Sequence, residues 1–174
     1  MKRIILFLAS LILILLLLWY ITPAPLPEKE TAESIAEYPD LDFTNADYSI
    51  GKEGMSVIHM SAQKAVMDNT TNISELEQVD FIQEELSGTC DKAIANNTEQ
   101  TVKLEGNVVI LKKEEDPFTI KTDSVFWDNE KRTLKAEGNV EVQWKNFSIE
   151  GKGLNVDLNN GIFEFGEIIQ GEVE

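Results

Sequence analysis

The chain has 174 residues, with 15 basic against 31 acidic side chains and a formal net charge of −16. That excess of negative charge excludes the cationic surface needed to grip nucleic-acid phosphates or an anionic membrane surface. The single cysteine, Cys90, excludes an internal disulfide, so core packing has to hold whatever folds.

The amino terminus reads Met1-Lys2-Arg3 and then runs 18 residues, Ile4 to Ile21, without a charge. As a helix this run spans about 27 Å, close to the hydrocarbon thickness of a bilayer. A secretory signal shares the basic start, but its apolar stretch is shorter and ends at a cleavable small-residue site. Here the run ends in Trp19-Tyr20, an interfacial pair, and its one small-residue site is followed at once by Pro25. The expectation is an uncleaved single-pass helix over residues 1–21. Lys2 and Arg3 hold the amino terminus in the cytoplasm, leaving the remainder outside the inner membrane. That remainder keeps all 31 acids and 13 of the basic residues, a net of −18.

Residues 22–47 hold Pro23, Pro25, Pro27 and Pro39 among Glu28, Glu30, Glu33 and Glu37. This composition describes an acidic, extended tether. Residues 48–174 carry all ten glycines and only Pro117, which is one domain large enough for a real core.

Within that domain one pattern recurs four times. FTIKTDSVFWDN at 118–129 sets Phe118, Ile120, Val125, Trp127 and Asp128 in a frame that Gly138 closes ten residues on. FSIEGKGLNVDL at 147–158, LSGTCDKAIANN at 86–97 and IHMSAQKAVMDN at 58–69 repeat it, each with Asp or Asn at the turn position. Period-two apolar spacing around a turn residue is a strand, a turn and a returning strand. Each copy also contains an odd step of five, as from Ile120 to Val125, which flips side-chain parity unless a bulge or corner restores it. The expected fold is therefore all-β: repeated antiparallel strand pairs in two stacked, bent sheets of a β-jelly roll, preceded by one transmembrane helix.

The near-identical segments VKLEGNV at 102–108 and LKAEGNV at 134–140 set Gly106 and Gly138 on what alternation makes the inward side. Two readings stand: a bulge or close backbone approach, or a gap in the sandwich wide enough for an apolar chain. On the second, Ile120, Val140, Val142, Phe147 and Ile149 line an apolar cavity beside Gly106 and Gly138. At the end of the chain, Ile162 to Ile169 reads as a last strand whose free edge could recruit another chain through Ile162, Phe163, Phe165 and Ile168. Catalysis is not assigned. His59 sits between core-patterned Ile58 and Met60, Cys90 reads as a buried inert thiol in a strand, and no phosphate loop or metal spacing occurs.

Taken together, the anchor, the acidic tether and a β-domain punctuated by Tyr48-Ser49-Ile50, by Ala62, Ala65 and Asp68, by LEGNVVI at 104–110, KTD at 121–123 and EGKGLNVD at 150–157 resemble the LptC family of the lipopolysaccharide export system. The resemblance implies a membrane-anchored periplasmic lipid-transfer bridge without cofactor. It would receive lipopolysaccharide or a related glycolipid from the permease subunits of an inner-membrane ABC transporter and pass it to a soluble periplasmic protein of similar fold. The alternatives are an anchored β-repeat scaffold that binds no lipid, and, on paired carboxylates, a hydrolase.

Overall fold

The computed structural model describes residues 41–114 and 116–173. Nine strands follow one another: β1 Leu41–Ile50, β2 Ile58–Asp68, β3 Ile73–Gln83, β4 Leu86–Asn96, β5 Thr101–Lys112, β6 Phe118–Asp128, β7 Thr133–Trp144, β8 Phe147–Asp157 and β9 Ile162–Val173. Each pairs antiparallel with the next, in sheet order β1 to β9. The sheet is curved and not closed, leaving β1 and β9 as its edges. Among these residues no helix is long and apolar enough to cross a membrane. The expected anchor over 1–21 lies outside the described residues.

The Asp or Asn found in every repeat works as a turn staple. Asp68 Oδ1 accepts the backbone N–H of Thr70 and Thr71 at 2.7 and 3.2 Å, Asn96 those of Thr98 and Glu99 at 3.0 and 3.1 Å, and Asp157 those of Asn159 and Asn160 at 2.8 and 3.2 Å. Asp128 accepts from Lys131 N–H at 2.9 Å. These side chains satisfy turn donors that no strand partner can reach. Successive turns are then linked along the sheet, with Asn97 N–H donating to Asn72 O, Asn129 to Gln100 O and Leu158 to Arg132 O at 3.0–3.2 Å.

The odd step is present in every even-numbered strand. Buried positions fall three apart at Ala62/Ala65, Cys90/Ala93, Thr122/Val125 and Gly151/Leu154, where period two would put them two apart. Each strand therefore turns a corner at mid-length and keeps apolar side chains inward on both sides of it. The expectation of two separate sheets is corrected here. Each strand keeps the same partners on both sides of its corner, across bulges in the ladder there, so the two layers are two walls of one folded sheet. The first wall takes the strand ends next to the β3–β4, β5–β6 and β7–β8 turns, and the second wall takes the opposite ends. Strands of 10–12 residues, at about 3.3 Å per residue, are long enough to serve both.

Aromatic contacts join the walls. Phe81 on the first meets Trp127 on the second edge-on, with ring centroids 5.7 Å apart, a geometry the ring quadrupoles favour. Between the walls lie Ile50, Ile58, Met60, Leu76, Leu104, Ile110 and Trp127, all fully buried. The sheet begins earlier than the domain boundary at 48, since Leu41 to Asp47 pair with Ser61 to Met67 of β2. Asp42, Asn45 and Asp47 weaken the local strand signal, and pairing with β2 overrides it.

Candidate functional site

The inward rows of the fold stay apolar up to the carboxy-terminal edge, while their cover does not. Ile120, Val140 and Val142 are 1–3% exposed inside the folded sheet. One and two strands further, on the same rows, Ile149 is half-buried, Phe147 is 48% exposed and Ile168 is 63% exposed. The register makes this a continuous surface: Val142 pairs with Ile149, Trp144 with Phe147, and Val140 with Gly151, which pairs in turn with Ile168. The expected cavity at Ile120, Val140 and Val142 is thus corrected: these side chains pack into the core cluster through β5 to β7, and the interior opens only at an apolar mouth on β8 and β9.

Phe163 and Phe165 belong to this mouth as much as to the edge. Both are half-buried and pack against the core cluster. Phe163 meets Phe118 edge-on at 5.1 Å and stacks on Trp144 at 5.8 Å, bridging the second wall to the first. Ile162, by contrast, is half exposed. Of the four edge residues, then, two face the core, Ile168 faces the mouth, and Ile162 is the most outward. Alternation puts Phe163 and Phe165 on one face; it does not state that, among the described residues, Ile168 is left uncovered.

The two glycines do not open a gap. Gly106 and Asn107 stand against Asp123 alone, and Glu137 and Gly138 against Gly153 alone, so each glycine sits in a bulge. Their φ angles are +74° and +86°, in the left-handed region that side chains resist. At Gly106 an added Cβ would meet the Asp91 carboxylate at 2.6 Å, and at Gly138 it would meet nothing within 4 Å. Asp91 and Gly138 are both exposed. The inward placement is corrected for a physical reason: the extra residue of each bulge keeps Leu104 and Val108, or Ala136 and Val140, inward and turns the glycine out.

Two residues singled out from sequence sit as strand residues. His59 is exposed on β2, where its Nδ1 lies 3.0 Å from Ser49 Oγ. Cys90 is buried, and burial pushes its thiol up to about 12, far from the thiolate form that reactivity needs. A group that sequence reading missed is the ion pair of Arg132 with Glu84, two turn residues 48 positions apart. The Arg132 guanidinium, then the Ser56 hydroxyl, hold the Glu84 carboxyl down at about 2 against the opposing effect of burial.

A mouth of this kind suits an apolar chain, because it offers apolar area along Phe147, Ile149 and Ile168. Comparison with known proteins gives two positive findings. The family model described as lipopolysaccharide-assembly, LptC-related, matches residues 6–174. Among solved structures the chain is similar to LptH, the LptA-homologous periplasmic component of the lipopolysaccharide transport device of Pseudomonas aeruginosa. That likeness has a TM-score of 0.58 at 16% identity, over 63% of this chain and 82% of the other. A search of curated protein sequences finds no match.

Proposed function

The chain belongs to the LptC family of lipopolysaccharide-assembly proteins, and on that premise we propose that its folded sheet is an inner-membrane-anchored bridge that lends lipopolysaccharide acyl chains an apolar path across the periplasm. The observation that carries the reading is the uncovered inner surface at Phe147, Ile149 and Ile168, continuous with Ile120, Val140 and Val142. A closed scaffold has no use for exposed isoleucine and phenylalanine on its inward rows, where they cost solubility.

In this account residues 1–21 hold the chain beside the permease subunits of an ATP-hydrolysing transporter. β9, which among the described residues pairs only with β8, takes up a strand from a soluble periplasmic protein of similar fold, so that the mouth continues into the partner's interior. Energy comes from the transporter, and this chain contributes a surface. The test is to purify the full chain from cells in mild detergent and identify co-purifying lipid by mass. Lipopolysaccharide or its lipid moiety is expected at a stoichiometric fraction; its absence from a folded preparation favours the scaffold instead.

A further inference from the structure

The two walls meet along a seam that is closed in two chemically different ways. One stretch is polar. Arg132, in the β6–β7 turn, reaches Glu84, in the β3–β4 turn, from Nη2 to Oε2 at 2.9 Å and from Nη1 to Oε1 at 3.2 Å, and its Nη1 also donates to Ser56 Oγ at 3.0 Å. The Ser56 hydroxyl donates to Glu84 as well. Behind them, Gln83 Nε2 donates to Asn129 Oδ1 at 2.6 Å, and both amides donate to the Ser56 carbonyl, at 3.2 and 3.0 Å. Three loops far apart in sequence are thereby tied across the seam. The other stretch, toward β9, is apolar and consists of Phe163 against Phe118 and Trp144.

Between the two stretches lies a pocket of about 280 Å³ whose rim carries Glu84 and Arg132 and whose lining includes Leu86, Phe118 and Val156. All three apolar residues are members of the buried core cluster. The pocket therefore gives solvent a view of the core between the walls, behind a charged rim.

We infer that this pocket is a lateral port for the acyl chain of an amphiphile, with the Arg132–Glu84 pair as its latch. The inference rests on the lipid-bridge reading above and adds the route. A lipid with a large polar head cannot be threaded lengthwise through a filled apolar core, because the head would have to shed its water there. Passage through the seam leaves the head outside while the chain slides in. The latch is built to part: its side chains are 31% and 52% exposed, so water can replace what they lose, whereas Gln83 and Asn129 are buried and keep the turns in place. The apolar closure beside it is equally separable, since Phe163 rides on a strand that, among the described residues, is paired on one side only.

The test uses the full chain in phosphatidylcholine vesicles and a palmitate carrying a photoreactive diazirine. In Glu84→Gln, capture should quicken roughly fivefold, the gain in opening equilibrium when a partly exposed pair of about 1 kcal/mol is lost. In a Cys90→Ala background carrying Glu84→Cys and Arg132→Cys, closure with a short bis-maleimide should slow capture severalfold, and adducts in the unbridged protein should map to the peptides of Leu86, Phe118 and Val156. Capture by the bridged form at the unbridged rate overturns the port while leaving the lipid bridge standing. A Glu84→Gln chain that is less stable yet captures at the original rate also overturns it, because the pair is then structural only. No capture by the unaltered chain overturns port and bridge together.

Discussion

Replacing Gly138 separates two accounts of why the EGN segment occurs twice. If the glycine opened room for lipid, a side chain there would block capture. The structure instead puts it in an outward bulge at φ +86° with open space where a Cβ would go. The cost of Gly138→Ala is then conformational alone, about 1–2 kcal/mol for an L-residue held in the left-handed region. Gly138→Asn should recover much of it, because asparagine tolerates that region. Gly138→Val should cost more than alanine, since a β-branched side chain is the poorest occupant at positive φ. A control sits at Gly88, where a Cβ would lie 2.1 Å from the Val109 carbonyl oxygen and 2.4 Å from the Phe81 ring. Backbone cannot yield there, so Gly88→Ala should exceed all three. The assay is urea unfolding of the full chain in detergent followed by far-ultraviolet circular dichroism, with lipid capture measured on the same samples. The reasoning is refuted if Gly138→Asn is as damaging as Gly138→Val, or if capture falls in variants whose folded fraction is unchanged.

Asn96→Ala removes an acceptor shared by two turn amides and should lower stability by about 1 kcal/mol, whereas Asn96→Asp should not; the urea midpoint reports both. Val142→Asp buries an unpaired carboxylate on the inner wall and should cost at least about 3 kcal/mol, visible as loss of the folded signal at urea concentrations the unaltered chain survives. Because Glu84 is held down at about 2, its contribution is present above the ordinary carboxylate range and is lost as pH falls through that range toward 2. Both partners are partly exposed, so the difference in acid-induced destabilisation between the chain and Glu84→Gln should be no more than about 1 kcal/mol, measured by urea unfolding at a series of acid pH values.

The repeats were legible because the turn needs a side-chain oxygen at one place. Asp68, Asn96, Asp128 and Asp157 occupy it, and their spacing gives strands and turns directly. The corner was legible too, as the step from Ile120 to Val125. What the parity change does not encode is whether backbone pairing breaks there, so one folded sheet and two stacked sheets look alike in sequence. For the same reason Gly106 and Gly138 count as inward by alternation, and the choice between a bulge and a gap is decided only by the register against Asp123 and Gly153. Of the candidate lining, Ile120, Val140 and Val142 lie inward and buried, whereas Phe147, like Ile168 of the edge set, is left exposed because no described residue covers it, which no local pattern states. The Ser56, Glu84 and Arg132 cluster left no signal, since its members come from three separate connections, and each alone reads as a solvated turn residue.

The most direct test of the lipid path is site-specific photocrosslinking in cells. A photoreactive residue placed singly at Ile168 or Phe147, at the mouth, is compared with one at Ile82 or Phe126. Those two are similarly exposed, at 52% and 45%, but stand on the outer face beside inward Phe81 and Trp127. If the folded sheet carries lipid inside, lipopolysaccharide adducts form at Ile168 and Phe147 and are at background at Ile82 and Phe126. Equal labelling at all four positions, or labelling confined to the outer pair, would contradict it.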